Sequence, residues 1–161
     1  MARAFLITLS GLLWAMPAQA VKLDDSMSPR QRIDTQLQWT HDIPMNRRLS
    51  RAELNALHTR IPGFEIRLNT AAYVGRTVQI YLGVPVQVQG LKSPAGMRIE
   101  WQTRGQFAPG ATQPGSRSLI FQGVVPAAMM TEVFDFTIHV DGQLLDGRLQ
   151  FDPQFELEII K

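Results

Sequence analysis

Few side chains in this sequence can do chemistry, and their spacing limits what they can do. Histidine occurs at His41, His58 and His139. No pair has the i, i+4 spacing of a zinc-binding helix, and no cysteine is present to complete a ligand set. No metal or other cofactor is therefore expected. Ser10, Ser26, Ser28, Ser50, Ser93, Ser116 and Ser118 all fall outside the G-x-S-x-G turn that exposes a nucleophilic hydroxyl. Asp24-Asp25, Asp135, Asp141, Asp146, Asp152, Glu156 and Glu158 could in principle supply an acid and a base. Glu156 and Glu158, however, alternate with Phe155, Leu157 and Ile159, the pattern of a solvated strand face. Asp141-Gly142 and Asp146-Gly147 lack the ligand order and closing Glu of a calcium loop. No catalytic residue is expected, and the reading is of a non-enzyme.

The elements that hold these residues begin with a leader. Arg3 precedes an uncharged apolar run, Ala4 to Met16, and Ala18-Gln19-Ala20 forms the small-x-small site of a signal peptidase. Residues 1–20 are thus expected to be removed, leaving Val21 first and no stable membrane insertion afterwards. The chain has 16 Lys+Arg and 14 Asp+Glu. The leader holds only Arg3 of these, so 15 basic residues face 14 acidic ones, and no basic surface for nucleic acid is expected. An exported chain without cysteine depends on packing and sheet hydrogen bonds.

Val21 to Arg32 is charged, holds Pro29 and lacks a period, which predicts a flexible N-terminal extension. Residues 33–161 form the expected domain. Ile33, Thr35, Leu37, Trp39 and Ile43 share one parity and predict a half-buried strand. Ser50 and Glu53 match a capping box, predicting a helix from Ser50 to His58 that ends before Pro62-Gly63. Strands are then expected at Phe64–Leu68, across Val78–Val88 with a break or bend at Gly83-Val84-Pro85, and at Met97–Thr103. Further strands are expected at Leu119–Val125, Val133–Val140, Leu144–Phe151 and Phe155–Ile160. Asp141-Gly142 signals a hairpin, and Gly105–Ser116 reads as the most flexible loop. About seven to nine short strands with one helix predict an all-β fold, an antiparallel immunoglobulin-like β-sandwich, with a closed barrel as the alternative. Trp101 reads as a core residue.

The leader, the charged stub and the alternating strand at Ile33–Ile43 precede a terminal GRLQFDPQFELEIIK, in which Leu149, Phe151, Phe155, Leu157 and Ile159 alternate. This order resembles the layout of a chaperone–usher fimbrial subunit. The resemblance implies a sandwich short of one strand, whose groove is filled by a neighbour's N-terminal extension. It implies Ile33, Thr35, Leu37 and Trp39 as donor residues and a terminal strand from Gly147 to Ile160 that a periplasmic chaperone recognises. Partners would be other protein subunits or that chaperone, in the periplasm or on the cell surface of a Gram-negative bacterium. Ile160 stands where the family carries a penultimate aromatic, Pro153 interrupts the terminal strand, and the family's common disulfide is missing. These departures fit a minor or accessory subunit better than a shaft subunit. A self-contained periplasmic module that binds a small molecule, glycan or protein through Gly105–Ser116 and nearby hairpin tips is the alternative, and a small exported hydrolase is a third.

Overall fold

The structure, a computed structural model, describes residues 20–29 and 50–160. Two four-stranded antiparallel sheets pack face to face, giving the expected β-sandwich with one short helix. The strands are β1 (Val21–Lys22), β2 (Ala56–Asn69), β3 (Thr77–Gly83), β4 (Met97–Thr103), β5 (Gly110–Thr112), β6 (Arg117–Val124), β7 (Met129–Asp141) and β8 (Gln154–Ile159). One sheet runs β1-β8-β3-β6 and the other β2-β7-β4-β5.

Strand β7 shows why the sequence folds this way. Met130, Glu132, Phe134, Phe136, Ile138 and Val140 share one parity and are all buried, so one face of the strand belongs to the core. Phe134 and Phe136 stack at 5.2 Å between centroids. Phe64 and Phe151 meet Phe136 edge-on at 5.6 and 5.0 Å, while Phe107 and Phe155 meet Phe134 at about 6 Å. Trp101 is a core residue, as expected, and its indole N–H donates to the Ala108 carbonyl at 3.0 Å.

Strand β2 departs from the expected helix. Ser50 does cap α1 (Arg51–Asn55) through a full capping box with Glu53, but the helix ends there and Ala56–His58 are already strand. The reason lies in two alternating series with a phase change between them. Leu57, Thr59 and Ile61 face inward before Pro62-Gly63, and Phe64, Ile66 and Leu68 face inward after it. A β-bulge absorbs the change: Ile61 pairs with Phe136 and Phe64 with Phe134, so Pro62 and Gly63 together oppose Asp135. Gly63 has φ +68°, a left-handed backbone that favours glycine. Its N–H donates to the Asp135 carboxylate at 2.7 Å. That bond, followed by the Arg104 guanidinium, holds the Asp135 carboxyl below its ordinary range.

The other corrections also have local causes. Gly105–Ser116 is anchored rather than free: Phe107 is buried, β5 pairs with β4, and the Ala108 N–H donates to Ile120 O at 2.7 Å. Asp141-Gly142 makes no two-residue hairpin, because Gly142 does not take the positive φ that such a turn needs. The Leu144 N–H closes a turn on Asp141 O instead. Leu144–Phe151 is not a strand: it keeps only a Leu145 bridge to Leu91 and turns at Gly147, φ +89°. The long run near Val78 stops as a strand at Gly83.

Residues 21–29, expected as part of a flexible extension over 21–32, are instead built into the fold. Val21 and Lys22 pair with Leu157 and Glu156, and the Leu23 N–H donates to Phe155 O at 2.8 Å. Leu23 is 3% exposed, inside the core. The chain then crosses to the other sheet, where the Asn69 N–H donates to Asp24 O at 2.9 Å and the Arg67 N–H to Ser28 Oγ at 2.9 Å. A short charged segment can do this because one buried leucine and a few backbone bonds suffice to tie down a sheet edge.

Two outcomes follow from this architecture. Leu23→Ala should cost about 2–5 kcal/mol, the usual range for truncating a buried leucine; a thermal melt unchanged within error would show that the segment does not close the core. Asp135 has a lowered folded pKa, so its stabilising effect is present above the unfolded carboxyl value, about 3.9, and is lost as pH falls through the folded value. Asp135→Asn should therefore lower the melting temperature at pH 7 and narrow its gap to wild type in melts taken toward pH 2.

Candidate interaction edges and a histidine pair

The terminal residues lie at three different places. Phe155 and Leu157 are buried in β8, which is paired on both sides, with β3 along its length and with Val21–Lys22 opposite Leu157 and Glu156. Ile159, at the end of β8, is 38% exposed. Leu149 and Phe151 precede β8; Leu149 is buried and Phe151 packs on Phe136. All but Ile159 thus pack into the domain's own core. The donor candidates Ile33, Thr35, Leu37 and Trp39 lie outside the described residues, as does His41.

Strand β2 borders its sheet, and β7 is its only strand partner among the described residues. Its Arg67 and Asn69 end is covered by Asp24 and Ser28. Its other end follows α1, which Ser50 opens. The described chain therefore stops at Pro29 near one end of β2 and is described again from Ser50 near the other.

The outer face of the β2-β7-β4-β5 sheet carries the polar parities of three strands. His58 on β2 and His139 on β7 are directly paired, with ring centroids 6.2 Å apart. Arg98 on β4 pairs with His139 from the other side, and its Nε lies 3.0 Å from Glu100 Oε1. Glu100 Oε2 is 3.7 Å from His139 Nε2. Along the same face Arg104 makes a two-pronged pair with Asp135, its NH2 nitrogen 2.9 Å from each oxygen. Such half-exposed pairs orient side chains more than they stabilise the fold.

Several of the other candidate groups have structural partners. Glu156 and Glu158 both bind Arg117, at 3.0 and 2.6 Å, and the Arg117 guanidinium lies 4.3 Å from the Tyr81 ring centre. Hydrogen bonding to Glu158 raises the Arg117 pKa further above its ordinary value. Ser28 serves Arg67, Ser50 caps α1 and Ser118 Oγ donates to Ala111 O.

Sequence reasoning missed two features. Glu132, 3% exposed, sits in the apolar series of β7. Its carboxylate accepts the N–H groups of Arg104, Phe107 and Val133 at 3.3, 2.9 and 3.0 Å, and so fixes the loop after β4. A charged residue at a core parity was the available signal. The second feature is the pairing of His58 with His139, which depends on β2–β7 register and leaves no trace in linear spacing. No helix among the described residues is long and apolar enough to cross a membrane. Comparison with protein-family models, with curated proteins and with solved structures finds no match to this chain.

Proposed function

We propose that this is an exported, non-catalytic interaction protein, a minor or accessory subunit of a fimbrial or other cell-surface assembly, and that it joins its partners by strand addition. The observation that supports this reading best is β2. It is 14 residues long and stands at the border of its sheet among the described residues, and a long border strand is a template for another chain's backbone. Its inward parity is apolar on both sides of the bulge apart from Thr59. An incoming strand with apolar residues at every second position matches that pleat.

Ile33, Thr35, Leu37 and Trp39 form such a strand in sequence. They lie among residues 30–49, which join the two ends of β2. At about 3.3–3.6 Å per residue this stretch is long enough to reach along that edge. A neighbour's copy of the stretch is the proposed occupant in the assembly. Export to the periplasm or cell surface follows from the leader pattern over residues 1–20.

A second reading, a self-contained periplasmic binding module, is favoured by one observation. Residues 21–29 fold back on their own sandwich, with Leu23 in its core, whereas a donor extension serves a neighbour. Leu37→Asp separates the two readings. In the assembly reading the variant loses association, seen by light scattering or by chaperone capture, while its thermal melt stays within a few degrees of wild type. An unfolded Leu37→Asp monomer would end the donor-strand reading and leave the self-contained module.

A further inference from the structure

Half of the large apolar side chains exposed among the described residues gather at one end of the sandwich. Val74, Val124, Met129, Ile159 and Ile160 are 36–57% exposed, five of ten such residues. The ladders bring them together: Val124 pairs with Thr77, Ile159 with Val78 and Met129 with Asn69, and Val74 lies in the connection from Asn69 to Thr77. Ile159 has the inward parity of Phe155 and Leu157, which are buried, so it marks where the core runs out at this end.

Backbone bonds join these segments into one surface. The Gly75 N–H donates to Val125 O at 3.0 Å and the Val125 N–H to Arg76 O at 2.9 Å, while the Thr70 N–H donates to Ala128 O and the Ile160 N–H to Thr77 O, both at 2.9 Å. The small residues of 71–72 and 126–128 are exposed beside them. A contiguous apolar set held in water marks a surface that meets something else. Its charge indicates what that is. Residues 69–77, 124–130 and 159–160 contain no Asp or Glu and a single cation, Arg76, which is exposed. Asp24 stands at the rim, where its carbonyl accepts the Asn69 N–H, but its carboxylate turns to its own loop and accepts the Ser26 N–H at 2.9 Å. Apolar loop tips with positive and no negative charge complement an anionic lipid surface, where apolar groups enter the acyl boundary and a cation meets the phosphates.

We propose that this end of the sandwich docks reversibly on an anionic lipid surface, with Val74, Val124, Met129 and Ile159 entering the headgroup region and Arg76 at the phosphates. The direction of β1 agrees. It runs from Val21 opposite Leu157 to Lys22 opposite Glu156, so residue 20 enters from the Ile159 side, and a chain still held by its leader turns this end toward the membrane. The contact is made by loop tips and a strand end and needs no spanning helix. Strand β2 runs away from this end after pairing Asn69 with Met129, so docking leaves its edge open to a partner strand. The inference goes beyond the proposed assembly role and does not depend on it.

The test uses the chain from Val21 onward, the form that export is expected to leave, in flotation with vesicles of phosphatidylglycerol and phosphatidylcholine in equal parts, beside vesicles of phosphatidylcholine alone. Saturable binding should favour the mixed vesicles several-fold and weaken in about 0.5 M salt, which screens the surface charge. Val74→Asp and Val124→Asp, both at exposed positions, should each weaken binding about tenfold, with melts within a few degrees of wild type. Arg76→Glu should weaken it several-fold. Val86→Asp, at an exposed valine beyond Gly83 and so at the other end of β3, should bind as the wild type does. Hydrogen exchange gives a readout on the wild-type chain: mixed vesicles should slow it at residues 71–76 and 127–128 and leave residues 86–92 unchanged. No flotation with mixed vesicles, binding unchanged in Val74→Asp and Val124→Asp, or a dimer in the absence of lipid that these two variants dissolve would overturn the proposal.

Discussion

The sandwich depends on the inward face of β7. This strand pairs with β2 on one side and β4 on the other, and its Phe134–Phe136 stack receives aromatic rings from β2, β8 and the segments that precede β5 and β8. Apolar burial at about 25 cal/mol per Å² makes such a cluster the main favourable term in a domain without disulfides.

Polar groups then set the geometry around that core. Glu132 is buried in the same strand and gathers three backbone N–H groups. A buried carboxylate left without such donors would be costly, so the loop after β4 and the carboxylate fix each other. Asp135, three residues along the strand and so on the opposite face, does similar work at the β2 bulge by accepting the Gly63 N–H. The bulge lets a single long strand keep apolar residues inward although their phase changes at Pro62-Gly63.

How much of this was legible in the sequence depended on the range of the interactions. Met97–Thr103 alternates without interruption, and β4 has those bounds. Ser50 and Glu53 announced a capping box that is present, yet pairing with β7 turned Ala56–His58 into strand, a contact 81 residues distant in the case of His58 and His139. Leu23 carried no period, so nothing local revealed that the stub after the leader would enter the core. The strand pattern at Leu144–Phe151 failed where Gly147 takes a positive φ and Leu149 turns into the core singly. The border position of β2 was illegible for a related reason, since strand order is fixed by pairing partners and not by the strand's own residues.

The functional account depends on what lies along β2. On the proposed reading a partner strand from another chain covers that edge only while the chains are associated, whereas β7 is held between β2 and β4 within one chain. Backbone hydrogen exchange of the wild-type protein over a dilution series distinguishes these cases. The account predicts that protection across residues 56–66 falls on dilution while protection in β7 between residues 133 and 140 does not. Full protection of residues 56–66 that is the same at every concentration would contradict it.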